Sequence, residues 1–190
     1  MDLTASLRIQ AHANRLANRR LHAAMAALTL AELHTPRVSF FPSLMATLNH
    51  ILMVDQYYIF ALQGEPVLAT HWDIFKPEDD LRTLAERQRA SDERLIDFCN
   101  SLDSARCVSM VEMPRGQGRI QRDLAAHVLA HLFMHQAHHR GQLHAMLSGT
   151  AVHPPQLDEF LLPSEAHLRV HDMTALGWRE EQVYGASWPP

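Results

Sequence analysis

The sequence predicts an all-α protein: a four-helix bundle followed by a tail of short helices. Three observations carry that expectation. Apolar positions recur at alternating steps of three and four residues over four segments, each roughly 20 to 30 residues long. Proline or glycine stands at the breaks between these segments. Beyond Gly149 the long period disappears and the chain breaks up around prolines. The 190 residues leave room for one substantial core. Apolar residues at 47% and charged residues at 20% exclude a disordered chain.

In chain order, the first helix carries the seam Leu7, Ala11, Asn14, Asn18, Leu21, Met25 and Leu28, and it is expected to run until Pro36 and TPRVSFF end it. A second helix starts near Pro42, where proline suits a first turn, and stops at Gly64. The third opens with PEDD, which places acids on its positive N-terminal dipole, and carries Leu81, Leu84, Gln88, Ser91, Leu95, Phe98 and Leu102. The connection CVSMVEMPRGQGRIQ has room for a short hairpin. The fourth helix spans about Arg122 to Ser148. Residues 1–150 therefore form the bundle, and 151–190 form a tail packed on it.

Asn14, Asn18, Gln88 and Ser91 interrupt two of the seams, and a buried polar group without a partner costs a few kcal/mol. Three explanations stay open: a seam turned partly to solvent, amides bonded across helices, or a polar pocket at mid-bundle. Cys99 and Cys107 are too few for a disulfide framework and read as buried free thiols. A net charge of −4 gives no nucleic-acid footprint. No apolar run approaches the roughly eighteen residues that span a bilayer. The N-terminus lacks the basic-then-apolar order of a secretory signal, so a cytoplasmic protein is expected.

Histidine is the unusual entry in the composition, with 14 copies against 17 Lys and Arg together. Six of them fall in AAHVLAHLFMHQAHHRGQLHAML. Histidines at i and i+4 lie about 40° apart on the helical wheel and can reach one cation from the same side. Three pairs qualify: His127/His131, His131/His135 and His135/His139. The apolar stripe Leu124, Val128, Leu132, Met146 centres on His135 and takes in His139 and Gln142. It turns His127, His131 and His138 to the rim. An inward stripe of the second helix, Thr47, His50, Val54, Tyr57 and Ala61, offers His50 as an independent third ligand. The remaining histidines, His12, His22, His34, His71, His153, His167 and His171 among them, read as surface or loop residues. Asp55 sits about 140° from His50 and should face another helix, and Arg140 points away from the stripe, towards an ion pair in helix or dimer packing.

HLFMHQAHHRGQLHAML, LNHILMVDQYY and the run holding Asn14 and Asn18 resemble the DinB/YfiT-like family of bacterial metalloenzymes. Met134 departs from the asparagine usual before the second ligand. The resemblance implies metal ligands at His50, His135 and His139, an up-up-down-down bundle, frequent homodimers, and zinc or nickel as the ion. It also implies relatives that use low-molecular-weight thiols as co-substrates.

Three neutral imidazoles leave a divalent ion its charge and an open position, the pattern of a catalytic rather than a closed structural site. Gln142, Tyr57, Asn14, Asn18 and Gln88 are candidates to orient the ligands or assist the chemistry. The expected function is a metal-dependent transferase or isomerase acting on a small molecule through an activated thiol or water. The alternative is a non-catalytic metal-binding stress-response or sequestration protein. A purely structural bundle would require His50 to lie far from His135 and His139.

Overall fold

The computed structural model describes residues 2–68 and 70–185. Four long helices dominate: α1 (Leu3–Met25), α3 (Leu44–Gln63), α5 (Leu81–Asn100) and α7 (Ala125–Leu147). Short helices α2 (Leu30–His34), α4 (His71–Ile74), α6 (Ser104–Cys107), α8 (Val170–Leu176) and α9 (Glu180–Tyr184) fill the connections and the tail. Strands β1 (Met110–Pro114) and β2 (Ile120–Leu124) pair antiparallel, Met110 opposite Leu124. The expected hairpin is therefore present, and it claims Arg122 to Leu124, so α7 begins later than the periodicity predicts.

Local chemistry sets the ends of these elements. Ser43 caps α3 by accepting from the Ala46 N–H at 3.1 Å, and Gly64 closes it at φ 72°, where a side chain would be strained. Asp80 caps α5 through the Thr83 N–H at 2.8 Å. The first helix does not last to Pro36. It ends at Met25, because Thr29 and Glu32 form a reciprocal capping box that starts α2.

α1 packs on α5 and α7, and α3 packs on the same two, which closes a four-helix bundle. Cross-helix pairs give the directions. Asp55 meets Gln88 and Gln63 meets Arg94, so α3 and α5 run parallel. Asn18 meets Asp92 while His22 and Ala26 share a cavity wall with Leu81 and Arg82, so α1 and α5 are antiparallel. His50 meets His135 and Tyr58 meets His131, so α3 and α7 are antiparallel too. The order is up-down-down-up, which corrects the up-up-down-down expected from the resemblance. The physical reason is the connection 64–80. A 20-residue helix is about 30 Å long, and this segment, extended at about 3.3 Å per residue, can return along all of it.

Two apolar clusters fill the bundle. One gathers Leu7, Val54, Leu95, Phe98, Val128 and Leu132. The other gathers Leu21, Met25, Leu48, Leu52, Leu84 and Leu147. Between them lies a polar layer to which all four long helices contribute. Asp92 accepts from Asn14 at 3.1 Å, Asn18 at 2.9 Å and Gln88 at 3.0 Å. The Gln88 amide also donates to Asp55 at 2.7 Å. Arg140 donates to the amide oxygens of Asn14 and Asn18. The interrupted seams are thus buried, with their amides bonded across helices.

The tail packs on the outer face of α1, where Phe160, Met173, Val183 and Tyr184 meet Ile9, Leu16 and Ala17. Arg169 is 0% exposed and pairs with Glu180 at 2.8 Å. Asp172 receives Arg19 at 2.5 Å and Arg20 at 2.7 Å. The end of the expected tail, 186–190, lies outside the described residues.

Candidate metal centre

His50 projects from the middle of α3, and His135 and His139 from successive turns of α7. The antiparallel packing of these two helices brings the three rings together. One nitrogen of each lies within 4.8 Å of one nitrogen of each of the others, so the group could hold a metal ion. His50 Nε2 and His135 Nε2 are 3.0 Å apart. The rings of His50 and His139 have centroids 4.6 Å apart, and those of His135 and His139 are 4.4 Å apart.

Burial lowers the pKa of all three imidazoles, which favours the neutral form. Burial, and then His139, pushes His50 down to about 4. Burial together with His139 and His50 pushes His135 down to about 3. His139 is lowered by burial, partly offset by its bond to Gln142. Neutral imidazole is the form that ligates a cation. The His139 Nδ1–H donates to Gln142 Oε1 at 2.8 Å, which leaves the Nε2 lone pair for a cation. This donor set fits a borderline divalent ion.

Phe41, in the loop before α3, stacks on His50 with centroids 4.2 Å apart and tilts over His139 at 5.6 Å. On the same side a cavity of about 350 Å³ has His50 in its wall, together with Phe41, Met45, Met53, Phe75 and Pro77. Asn49 and Glu78 also line it, but they are bonded to each other, at 2.7 Å and 2.8 Å, and Glu78 pairs with Arg87. Ser43, His34 and Asp79 are the other polar residues of a mainly apolar wall, which His50 joins from the cluster and His135 and His139 do not.

Of the other expected site residues, Gln142 alone touches a histidine of the cluster among the contacts of the described residues. Asn14, Asn18 and Gln88 belong to the polar layer, because Asp92 and Arg140 take their amides. Tyr57 is buried and donates its hydroxyl to the Pro114 carbonyl at 2.7 Å, fixing the hairpin to α3. Asp55 faces α5, as its wheel position predicts. Arg140 turns inward to an intramolecular packing role rather than outward to a partner chain.

Three histidines read as surface or loop residues are at least partly buried. His12 bonds the Arg8 carbonyl at 2.8 Å and meets Trp178 edge-on. His71 bonds the Met53 carbonyl at 3.1 Å. His22 is pushed down to about 4 by burial and by Arg15 and Arg140. His127, His131 and His138 are exposed, as expected of rim residues.

Sequence reasoning passed over Asp92, 1% exposed, and Gln136, 0% exposed. Gln136 stands beside Asp55 but completes no hydrogen bond of ordinary geometry. Burial pushes Asp55 up to about 7, with Asp92 adding to it, and pushes Asp92 up to about 6. Arg140, desolvated beside them, falls to about 10.

The fold and this cluster define a helical-bundle protein with a three-histidine centre shared by two antiparallel helices. The chain belongs to the DinB family, whose family model matches residues 8–174. That match runs past the bundle into α8, so the family pattern includes most of the tail. No sequence among the curated proteins matches the chain. No helix of the described residues is long and apolar enough to cross a membrane.

Proposed function

We propose that the protein is a metal-dependent enzyme in which His50, His135 and His139 hold one divalent ion, zinc or nickel. Its reaction is transfer or isomerisation on a small molecule, with water or a low-molecular-weight thiol as the activated partner. A divalent ion on three neutral imidazoles supplies Lewis acidity that activates either partner near neutral pH. The observation that carries the reading is the convergence of three imidazole nitrogens beside a 350 Å³ cavity with His50 in its wall.

The chain's own residues divide the work. Gln142 fixes the His139 tautomer by accepting its Nδ1–H. Phe41 covers His50 and His139 and excludes water from one side. The apolar cavity wall orients the organic part of the substrate. That cavity favours the enzyme over the second reading, a non-catalytic sequestration protein, which needs no substrate space beside its cation. A cytoplasmic location, a homodimer, and residues 1–150 as the metal-binding bundle complete the proposal, all following from the family pattern and the sequence.

The test is metal analysis of tag-free protein followed by a thiol-transfer screen. Stoichiometric metal with turnover supports the enzyme, and stoichiometric metal with no turnover across thiol and water acceptors supports sequestration.

A further inference from the structure

The loop of the hairpin places an arginine with uncommon surroundings. The Arg115 N–H donates to the Arg119 carbonyl at 2.7 Å, and Gln117 and Gly118 both adopt left-handed backbone, at φ 63° and 70°. This tight turn sets the Arg115 side chain above α3. Its Nε donates to Gln121 Oε1 at 3.1 Å and its Nη2 to the Tyr58 hydroxyl at 3.0 Å. The guanidinium lies over the rings of Tyr57 and Tyr58, 5.0 Å and 5.6 Å from their centroids. Its neighbour Arg122 pairs with Glu112, whereas Arg115 forms no ion pair among the described residues. Asp123, which lines the same groove as Arg115, accepts from the Gln121 amide at 2.6 Å.

Arg115 lines a groove of about 310 Å³ with Tyr58, Gln121, Asp123, His127 and His131. His131 connects this groove to the histidine cluster. Its ring lies 5.3 Å from that of Tyr58 and 6.5 Å from that of His135. A guanidinium held by two hydrogen bonds and two aromatic rings is already ordered and keeps donors in hand. Such a group binds a planar or tetrahedral oxyanion through charge-assisted bonds at little entropic cost.

We propose that Arg115 is an oxyanion subsite, which takes the carboxylate or phosphate end of a slender substrate or co-substrate whose other end lies at His50, His135 and His139. The inference rests on the reading of that cluster as a metal centre. It adds the substrate's chemical class: a small anion with an extended chain between its charge and its reacting group.

The test uses the full chain loaded with cobalt, whose visible spectrum reports occupancy of the histidine cluster and thiol binding to it. Mercaptohexanoate, mercaptohexyl phosphate and mercaptohexanol differ only at the end expected to reach Arg115. The expected result is that one or both anionic probes bind about tenfold more tightly than the alcohol, and the tighter of the two identifies the anion. Arg115→Gln should bring all three to the same affinity, and Arg115→Lys should restore part of the difference. Equal affinities of the three probes for the unaltered protein would overturn the subsite.

Failure to take up cobalt would sink the metal reading instead. The subsite is then read in the metal-free protein, from the NMR signal of the Arg115 Nε–H during titration with hexanoate and with hexyl phosphate. A saturable shift supports it. A signal that does not move overturns it, and this measurement needs no variant that folds.

Discussion

Gln142 is where the proposed metal chemistry meets a single hydrogen bond. Replacing it with leucine removes the acceptor of the His139 Nδ1–H while keeping a helix-forming side chain of similar size. The expected outcome is a loss of metal affinity of about 10- to 100-fold, read by competition with a chelator. Asp55 gives a second residue-scale expectation. Its folded-state pKa is raised to about 7, from burial and then Asp92. The protonated form therefore stabilises the fold fully below the ordinary value near 3.8, and that contribution is lost as pH rises through about 7. Gln88, Asp92, Gln136 and Arg140 face it and are unchanged in Asp55→Asn. The stability of that variant relative to the unaltered protein should rise between pH 4 and pH 8, measured by urea unfolding. The pairing of His135 with His139 was legible from i, i+4 spacing on an apolar stripe, His50 from the inward stripe of the second helix, and Asp55 as facing another helix. Asp92 was not, because an acid beside a seam in a helix rich in Arg and Glu has the pattern of a solvated face. Nothing in the sequence distinguishes it until Asn14 and Asn18 of α1 are packed on it.

The helices position these side chains through their ends as much as their faces. α3 holds His50, and Gly64 terminates it in left-handed backbone. Gly64→Ala meets no steric neighbour, so its cost is the backbone conformation alone. A loss of about 1 kcal/mol is expected, read as a fall of about 3 °C in Tm. At this scale Gly64 was readable as the end of α3, whereas Pro42 lies before the Ser43 cap rather than in the first turn, and PEDD precedes α5, whose first turn holds no acid and whose cap is Asp80. The separation of α2 from α1 was missed because the seam at Leu28 continues past the break. The capping box of Thr29 and Glu32 is the sequence signal that would have found it. Helix direction was the other miss. Periodicity carries no direction, and which connection crosses the bundle depends on packing that single segments do not encode.

For the whole molecule, the polar layer between two apolar clusters sets helix register, and the tail braces α1 from outside. Arg169 is the centre of that brace, bonded to Glu180 and to the carbonyls of Glu159 and Leu162. Arg169→Ala should cost about 3 kcal/mol, as breaking a buried ion pair does. Limited proteolysis should then cut within the tail while the histidine cluster keeps its cation affinity. The central claim concerns the cluster itself, and the most direct measurement is elemental analysis of the tag-free chain beside His135→Ala. The expected result is one divalent ion per chain in the unaltered protein and none in the variant, with both folded by circular dichroism. A folded, unaltered protein that takes up no stoichiometric zinc, nickel or cobalt would contradict the account.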